Sequence, residues 1–429
     1  MEAELYFKFI LSFGLVLVAA RIGGEIAERY LKQPAVVGEL LAGIVISPFA
    51  LGGLINDPII LNFATIDGHL VETGMEINGF TPMEIISQIA VIALLFVAGL
   101  ETDVRAFIRH GFTGAMVAIG GVILPFASGY LAGRYFFPEI GSVGWLFIGA
   151  LLTATSIGIT VRILMDMGRL NSKEGTIILV GAVVDDIIGL VILSIVVGVA
   201  ETGELSVTGA LRTGLIGFGV WMGLLLIGLY GHKYISRYLL DPFKRSGTMP
   251  VMAIIAAILI AYLVTLVDLH PVVGAYVAGL MLASTLERGE ILEKSRPIML
   301  FLSPFFFAYL GMQVDLGLIW AVIVPALVLV VLATAGKIIG CFFPARWAGK
   351  TSNLGAFIVG LGMVPRGEVG LIIAGIGLTH GVINRDIFGV AVAVSIATVL
   401  ITPAMLKPFF RRQHPEAKET DSKPHSLRD

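Results

Sequence analysis

Apolar runs of about 20 residues follow one another along almost the whole chain, separated by short polar segments. A run of this length crosses the hydrocarbon core of a bilayer as a helix, which satisfies its own backbone hydrogen bonds in lipid. Only 14% of the residues are charged and the mean hydropathy is +0.93, whereas soluble domains carry about 25% charged residues. The sequence therefore predicts an all-α polytopic membrane protein.

The runs predict about 13 transmembrane helices, with each boundary placed to within several residues. They lie at 5–30, 34–53, 84–103, 111–137, 143–167, 173–200, 207–238, 249–267, 271–287, 297–313, 317–344, 351–379 and 386–410. Basic residues fall in every second loop, among them Arg29, Lys32, Arg105, Arg169, Lys173, Lys244, Arg288 and Arg346, and acids dominate the intervening loops. The positive-inside rule then predicts an N-terminus outside and a C-terminus in the cytoplasm. The first run continues into Arg21 without a cleavage motif, so no cleavable signal peptide is expected.

Two sequence motifs recur in the two halves of the chain. The segment 33–43 (QPAVVGELLAG) is echoed by 270–279 (HPVVGAYVAG), and 96–104 (FVAGLETDV) by 308–316 (AYLGMQVDL). Each echo comes seven spans after its partner, and an odd displacement reverses the direction of membrane entry. We therefore predict inverted six-helix repeats at about 5–200 and 249–410, joined by a helix at about 207–238, an arrangement that underlies alternating access in transporters.

The transmembrane domain is predicted to cover residues 1–412, and the polar tail 413–429 is predicted to be a disordered cytoplasmic end. The tail has no apolar periodicity, and the chain has no room for a soluble nucleotide-binding domain.

Corresponding helices of the two repeats contain residues that interrupt a helix. The first has the segment 153–158 (TATSIG), and the second has 360–370 (GLGMVPRGEVG), with Pro365 in its middle. Such residues at corresponding positions predict crossed discontinuous helices whose unwound backbone offers carbonyl oxygens to a cation. Thr155 and Ser156 are candidate ion ligands and Thr153 a supporting residue, although ordinary small-residue packing would also place hydroxyl groups here.

Asp185 and Asp186 lie side by side in the middle of the apolar run 176–199. Each carboxylate costs roughly 3 kcal/mol or more at the centre of a lone membrane helix, so an intramembrane acid points to function. Pairing that merely joins helices is the alternative, but two adjacent acids repel each other. We predict that both aspartates form a site where a cation and protons compete.

Among the other charged residues within the predicted spans, Lys337 has a predictable partner, and the roles of the rest stay open. Lys337 lies too deep in its span to reach the membrane surface, and one carboxylate of the aspartate pair is its expected partner. The second aspartate would then face the ion path, because neighbours on a helix point about 100° apart. Glu39, Arg366 and Glu368 are candidate supporting residues, for which a direct role in transport and structural pairing are both open. The pairing of Arg366 and Glu368 would be with each other or with Glu39, Glu101 or Asp103.

Several other functions are excluded or disfavoured by the sequence. The single cysteine, Cys341, excludes an intramolecular disulfide and a cysteine-based metal site. A net charge of −2 gives no indication of a nucleic-acid partner. An intramembrane aspartyl protease would need its acids on separate, facing helices, so we expect no enzyme and no cofactor. An ion channel stays open as an alternative.

Together, the motif 34–43, the segment 153–158, the Asp185–Asp186 pair, Lys337 with its flanking glycines and the segment 365–368 resemble the monovalent cation:proton antiporters of the second group. The resemblance, which covers the chain up to about Arg412, implies a homodimer in the cell (inner) membrane that serves pH homeostasis. It also implies a dimerisation domain and a six-helix core domain that moves like an elevator. Asp186 matches the family's ion- and proton-binding aspartate, and Asp185 matches the acid that pairs with the lysine.

The resemblance also implies the transported ions. An acidic pair goes with electrogenic exchange in this family, whereas Asn or Gln at the first position goes with electroneutral or potassium-type relatives. We therefore expect exchange of Na⁺ (or Li⁺) for H⁺, with K⁺/H⁺ exchange as the alternative.

Overall fold

A computed structural model describes residues 2–51, 63–66, 69–72, 82–202, 207–379 and 381–413. The helices before the connecting span are α1 (Glu2–Ile26), α2 (Ala35–Val45), α3 (Pro82–Glu101), α4 (Val104–Arg109), α5 (Gly111–Phe136), α6 (Gly141–Thr153), α7 (Ile157–Asp166) and α8 (Lys173–Thr202). The connecting helix is α9 (Val207–Tyr234), and after it come α10 (Met249–Thr265), α11 (Pro271–Ala283), α12 (Arg288–Met312), α13 (Leu316–Ala321), α14 (Ile323–Trp347), α15 (Asn353–Gly362), α16 (Glu368–Thr379) and α17 (Arg385–Gln413). Of the predicted disordered tail 413–429, Gln413 belongs to α17, and residues 414–429 lie outside the described residues.

Helices lie in every one of the 13 predicted ranges when α6–α7 and α15–α16 are each counted as one interrupted span. Within the described residues, nine helical stretches are long and apolar enough to cross a membrane. The remaining ranges contain shorter apolar helices, such as α2 and α11. A multi-pass helical membrane protein is therefore confirmed, and the count of 13 spans stays a prediction.

Two of the predicted span boundaries are wrong by about two helical turns. The second span was placed at 34–53, but α2 ends at Val45. The tenth was placed at 297–313, but α12 begins at Arg288. Its first nine residues (RGEILEKSR) are mostly charged, which hid them from an apolar criterion, yet Glu, Leu, Lys and Arg are good helix formers.

A short hairpin is an addition to the predicted all-helical architecture. Strand β1 (Phe63–Ile66) pairs antiparallel with β2 (His69–Glu72), in the long segment between α2 and α3 that was predicted to be a loop. The sequence Asp67–Gly68 between the strands is a favoured two-residue hairpin turn, so a signal for the hairpin was available.

The membrane helices form two bundles that each draw on both halves of the chain. The first bundle contains α1, α2 and α3 with α10, α11 and α12, and the second contains α5–α8 with α14–α17. The connecting helix α9 packs against α8 of the second bundle and α11 of the first. The two bundles meet where α7 lies against α2 and α3 and where α17 approaches α2.

The two echoed motifs meet each other in the first bundle through their glycines. A Cβ atom built on Gly43 would lie 2.0 Å from the carbonyl oxygen of Ala308, and one on Gly279 would lie 2.2 Å from that of Phe96. The first contact joins α2 to α12, and the second joins α11 to α3, so each motif packs against the other motif of the opposite half. Small residues let membrane helices approach closely in this way. This reciprocal packing is what inverted repeats generate, although the inverted relation stays a prediction.

The basic loops that alternate in the sequence lie together on one side of the molecule. Lys173 Nζ donates to the carbonyl of Lys350 at 3.1 Å, and Lys407 Nζ donates to that of Lys32 at 2.7 Å. Arg288 Nε donates to the carbonyl of Leu100 at 2.6 Å. We call this side the basic face. Its assignment to the cytoplasm stays a prediction from the positive-inside rule.

The glycine contact between α11 and α3 predicts a matched pair of stability effects. Gly279→Ala should lower the melting temperature, because the new methyl group overlaps a backbone carbonyl and over-packing costs about 1–3 kcal/mol. Gly223→Ala in α9 should not, because a Cβ there meets no atom within 4 Å and alanine favours helix. Thermal unfolding of both variants in detergent checks this, and equal melting temperatures would contradict the close packing.

Candidate functional site

Both helices predicted to be discontinuous are interrupted in the structure. Helix α6 ends at Thr153 and α7 begins at Ile157, while α15 ends at Gly362 and α16 begins at Glu368. The two unwound segments are hydrogen-bonded to each other: Ser156 N donates to the carbonyl of Pro365 at 2.8 Å. They therefore form one unit in the second bundle, which brings four half-helix ends together.

Hydroxyl groups of the first interrupted helix donate hydrogen bonds to the second interrupted helix and so hold the two together. Thr155 Oγ1 donates to the carbonyl of Met363 at 3.1 Å, and Thr160 Oγ1 donates to that of Gly362 at 3.2 Å, so both contact the end of α15. Ser156 accepts from Ile159 N and caps α7, while Thr153 donates back to Ala150 at 2.7 Å. Each predicted hydroxyl thus has a structural contact at the break. The ligand role of Thr155 and Ser156 and the supporting role of Thr153 stay predictions.

Arg366 occupies the unwound segment of the second interrupted helix and is 1% exposed. Its guanidinium donates to three backbone carbonyls: Nη2 to Leu152 at 2.7 Å and to Ala333 at 3.0 Å, and Nη1 to Val364 at 2.5 Å. Leu152 lies in the last turn of α6, so the cation meets the negative end of that helix dipole.

One suggested role for Arg366 is therefore wrong. Pairing with Glu39, Glu101 or Asp103 was open from the sequence, but these acids contact other groups: Glu39 lies against Arg162, Glu101 against Arg296, and Asp103 caps α4. The side chain of Glu368 lies outside the described residues, so its pairing and supporting role stay predictions.

The adjacent aspartates lie near the middle of α8 and differ in their surroundings. Lys337 Nζ of α14 donates to Asp185 Oδ1 at 2.9 Å, and these side chains are 0% and 2% exposed. Asp186 is half-buried. The structure therefore selects Asp185 as the partner of Lys337, and complete burial excludes a lysine that reaches the membrane surface.

Close helix contacts place this ion pair beside the helix break. A Cβ on Gly181, one turn before Asp185, would lie 3.3 Å from Met363 Sδ in the unwound segment. A Cβ on Gly121 of α5 would lie 2.7 Å from the sulfur of Cys341 and 3.5 Å from Lys337 Nζ. Cys341 is itself buried and contacts the carbonyl of Val117, in keeping with a packing role. Carboxylate, carbonyl and hydroxyl oxygens thus converge in one region, the donor set that hard cations prefer.

A second buried charge cluster was missed from the sequence. The side chain of Arg162 in α7 is 5% exposed. Its Nη2 lies 3.2 Å from Glu39 Oε1, and its Nε lies 2.9 Å from Asp166 Oδ1. Its Nη1 also donates to Ser303 Oγ at 2.6 Å. The available signal was the spacing of Arg162 and Asp166, four residues apart and hence on one helix face, within a span otherwise taken as apolar.

Comparisons with known proteins agree with this architecture. The family model described as "Sodium/hydrogen exchanger, transmembrane" matches residues 14–412. The sodium proton antiporter MjNhaP1 from Methanocaldococcus jannaschii has a similar fold, with a TM-score of 0.66 over 97% of this chain and 99% of that one, at 19% identity.

Curated relatives are similar along nearly their whole length. The Na⁺/H⁺–K⁺ antiporter GerN of Bacillus cereus is 35% identical over 405 residues, covering 94% of this chain and 97% of GerN. The high-affinity Na⁺/H⁺ antiporter NhaS3 of Synechocystis is 32% identical over 421 residues, covering 94% of this chain and 89% of NhaS3. These relatives are transporters rather than enzymes. With the family model covering most of the chain, this protein belongs to the sodium/hydrogen exchanger family of cation/proton antiporters.

Proposed function

We propose that this protein exchanges Na⁺ (or Li⁺) for H⁺ across the cell membrane, with both ions bound in turn at the aspartate pair. The observation that carries the proposal is the buried contact of Lys337 with Asp185, next to a second, half-buried carboxylate. Lysine compensates one of the two negative charges in the site. We assign the binding of a proton or a small cation to the other carboxylate, Asp186, which is half-buried.

Competition between these ions follows from electrostatics. An ionised carboxylate inside a membrane protein is costly unless it is paired or neutralised. A bound proton removes the charge of Asp186, and a bound Na⁺ compensates it, so occupation by one excludes the other. Because the two aspartates are neighbours, their loading is coupled and belongs to the pair as a unit. Oxygens of Thr155, Ser156 and the unwound backbone are the candidate further ligands.

Exchange also requires that the loaded site face each side of the membrane in turn. We propose that the second bundle, which holds the whole site, moves against the first as an elevator, with the first bundle forming the dimerisation domain of a homodimer. Two bundles that meet mainly along α7, α2 and α3 suit such a movement. If the bundle moves only when Asp186 is neutralised, neither ion leaks through the protein alone.

The names of the relatives support sodium first and potassium second. NhaS3 is named as a Na⁺/H⁺ antiporter, and GerN as a Na⁺/H⁺–K⁺ antiporter. We therefore propose Na⁺/H⁺ exchange, electrogenic as the acidic pair implies in this family, and keep K⁺/H⁺ exchange as the second candidate. We further propose that the basic face lies in the cytoplasm, with the N-terminus outside.

The assignment of Asp186 is tested by proton movement in everted vesicles on addition of NaCl, LiCl or KCl. Wild-type protein should release protons with sodium or lithium, and Asp186→Asn should reduce this to the level of vesicles lacking the protein. Asp386→Asn, at an exposed position at the start of α17, is the matched control and should behave as wild type. Normal exchange by Asp186→Asn would remove this residue from the site. A response to potassium alone would select the second candidate.

The Lys337–Asp185 pair predicts a non-additive effect on stability. Lys337→Met alone should destabilise the protein by about 3–5 kcal/mol, because it leaves a buried carboxylate without its partner. Combining it with Asp185→Asn should recover most of that loss, since no uncompensated charge remains. Thermal unfolding of the two single variants and the double variant measures this, and strictly additive losses would show that the two side chains do not act as a pair.

A further inference from the structure

The two bundles are joined on their basic side by a cluster of buried polar contacts that the proposed exchange does not use. Arg162 belongs to α7 of the second bundle, whereas Glu39 and Ser303 belong to α2 and α12 of the first. Arg162 contacts Glu39 at 3.2 Å and Ser303 at 2.6 Å, and Glu39 and Ser303 are 1% or less exposed. One guanidinium therefore bridges two helices of the opposite bundle.

Asp166 adds a second contact across the same interface. Its carboxylate faces the backbone N–H groups of Ala35 and Val36, at the start of α2. The N-cap residue there, Pro34, makes no side-chain capping bond, and an acid from the other bundle lies at the positive end of this helix. Arg162 lies 2.9 Å from the same carboxylate and holds both acids together.

A third contact lies further towards the basic face. The side chain of Asn171, in the turn between α7 and α8, donates to the carbonyl of Glu101 at 3.0 Å and accepts from Asp103 N at 3.1 Å. Glu101 ends α3 of the first bundle, so this turn is also fixed to the opposite bundle. All of these contacts lie on the same half of the interface.

The other half of the interface is less closely filled. A cavity of about 20 Å³ lies between Leu40, Leu310 and Gln313 of the first bundle and Arg366, Ser395 and Val399 of the second. Gln313 follows the end of α12 that is opposite Arg288 and the basic face. A space of this size holds about one water molecule. The bundles are thus joined by polar contacts towards the basic face, and a small cavity lies between them beside the helix break.

We propose that Arg162, Glu39, Asp166 and Ser303 form a latch that closes the basic side of the interface and so stabilises the state whose ion site faces the opposite side. This inference rests on the proposed exchange, and it adds the residues that control which side of the membrane the ion site faces. When the second bundle slides against the first, every one of these contacts must break in each transport cycle. Losing a latch contact therefore shifts the population towards the state open at the basic face.

The experiment measures exchange with sodium added from each face of reconstituted vesicles. A tag after Gln413 reports orientation, because Gln413 contacts Glu174 and Ser352 near the basic loops. Glu39→Gln should lower the apparent KM for sodium at the basic face and raise it at the opposite face, changing their ratio by about fivefold, the lower end of typical coupling between sites. Ser303→Ala, which leaves no unpaired buried charge, should change the ratio in the same direction by less.

The matched control is Glu101→Gln, whose carboxylate lies 2.6 Å from Arg296 on the same face but within the first bundle. It should leave the ratio of the two KM values unchanged. General damage to the fold would lower the maximal rate without changing the two KM values in opposite directions. An unchanged ratio in both Glu39→Gln and Ser303→Ala, with wild-type exchange intact, would overturn the latch and leave the proposed function standing.

Hydrogen exchange of the backbone provides a second measurement that does not depend on transport. Peptides covering residues 35–45 and 157–166 should exchange faster in Glu39→Gln than in Glu101→Gln, because the attachment of α7 to α2 is weakened. If the wild-type protein exchanged no cation, the proposed function would fail while this comparison still measured the contact between bundles. Equal exchange in the two variants would overturn the latch on its own.

Discussion

Unwound backbone at the centre of a bilayer is the constraint on which the rest of this structure depends. Lipid supplies no hydrogen bonds, so each carbonyl and N–H freed by a helix break must find a partner within the protein. Here the two breaks supply each other, through Ser156 N with Pro365 and Thr155 with Met363, and Arg366 satisfies three further carbonyls. A single broken helix could not do this. The two interrupted helices therefore have to meet, and the elements around them must hold them in contact.

Charge balance in the second bundle follows from the same absence of water. Lys337 and Arg366 are buried beside the helix breaks and have different partners: a carboxylate for the lysine, carbonyl dipoles for the arginine. Arginine suits the second task because its planar fork donates in several directions at once, which a lysine cannot reproduce. Asp186, next to the lysine's partner on α8, is the carboxylate to which we assign the incoming ion.

The sequence predicted the parts of this arrangement that depend on local composition. Apolar length located the helices, Gly and Pro located both breaks, and an isolated lysine deep in an apolar run required an acid as its partner. It could not choose between Asp185 and Asp186, because that choice depends on how α8 is rotated against α14. The sequence also could not predict the role of Arg366. Its partners are backbone carbonyls such as those of Leu152 and Ala333, and every residue has a backbone carbonyl, so the sequence carries no signal for this contact.

The Lys337–Asp185 and Arg162–Glu39 contacts differ in one respect that decides what each can do. The Lys337–Asp185 contact joins α14 to α8 inside one bundle, so movement of that bundle as a body leaves it intact. The Arg162–Glu39 contact joins α7 to α2 across the two bundles, and the same movement must break it. Breaking a buried ion pair is costly, because each charge loses its partner before water replaces it. Asp166 and Glu39 share one arginine, so the charge of α7 keeps a partner of its own, Asp166, when Glu39 moves away. Two acids around one arginine thus allow a contact between bundles that is strong when closed and still able to open.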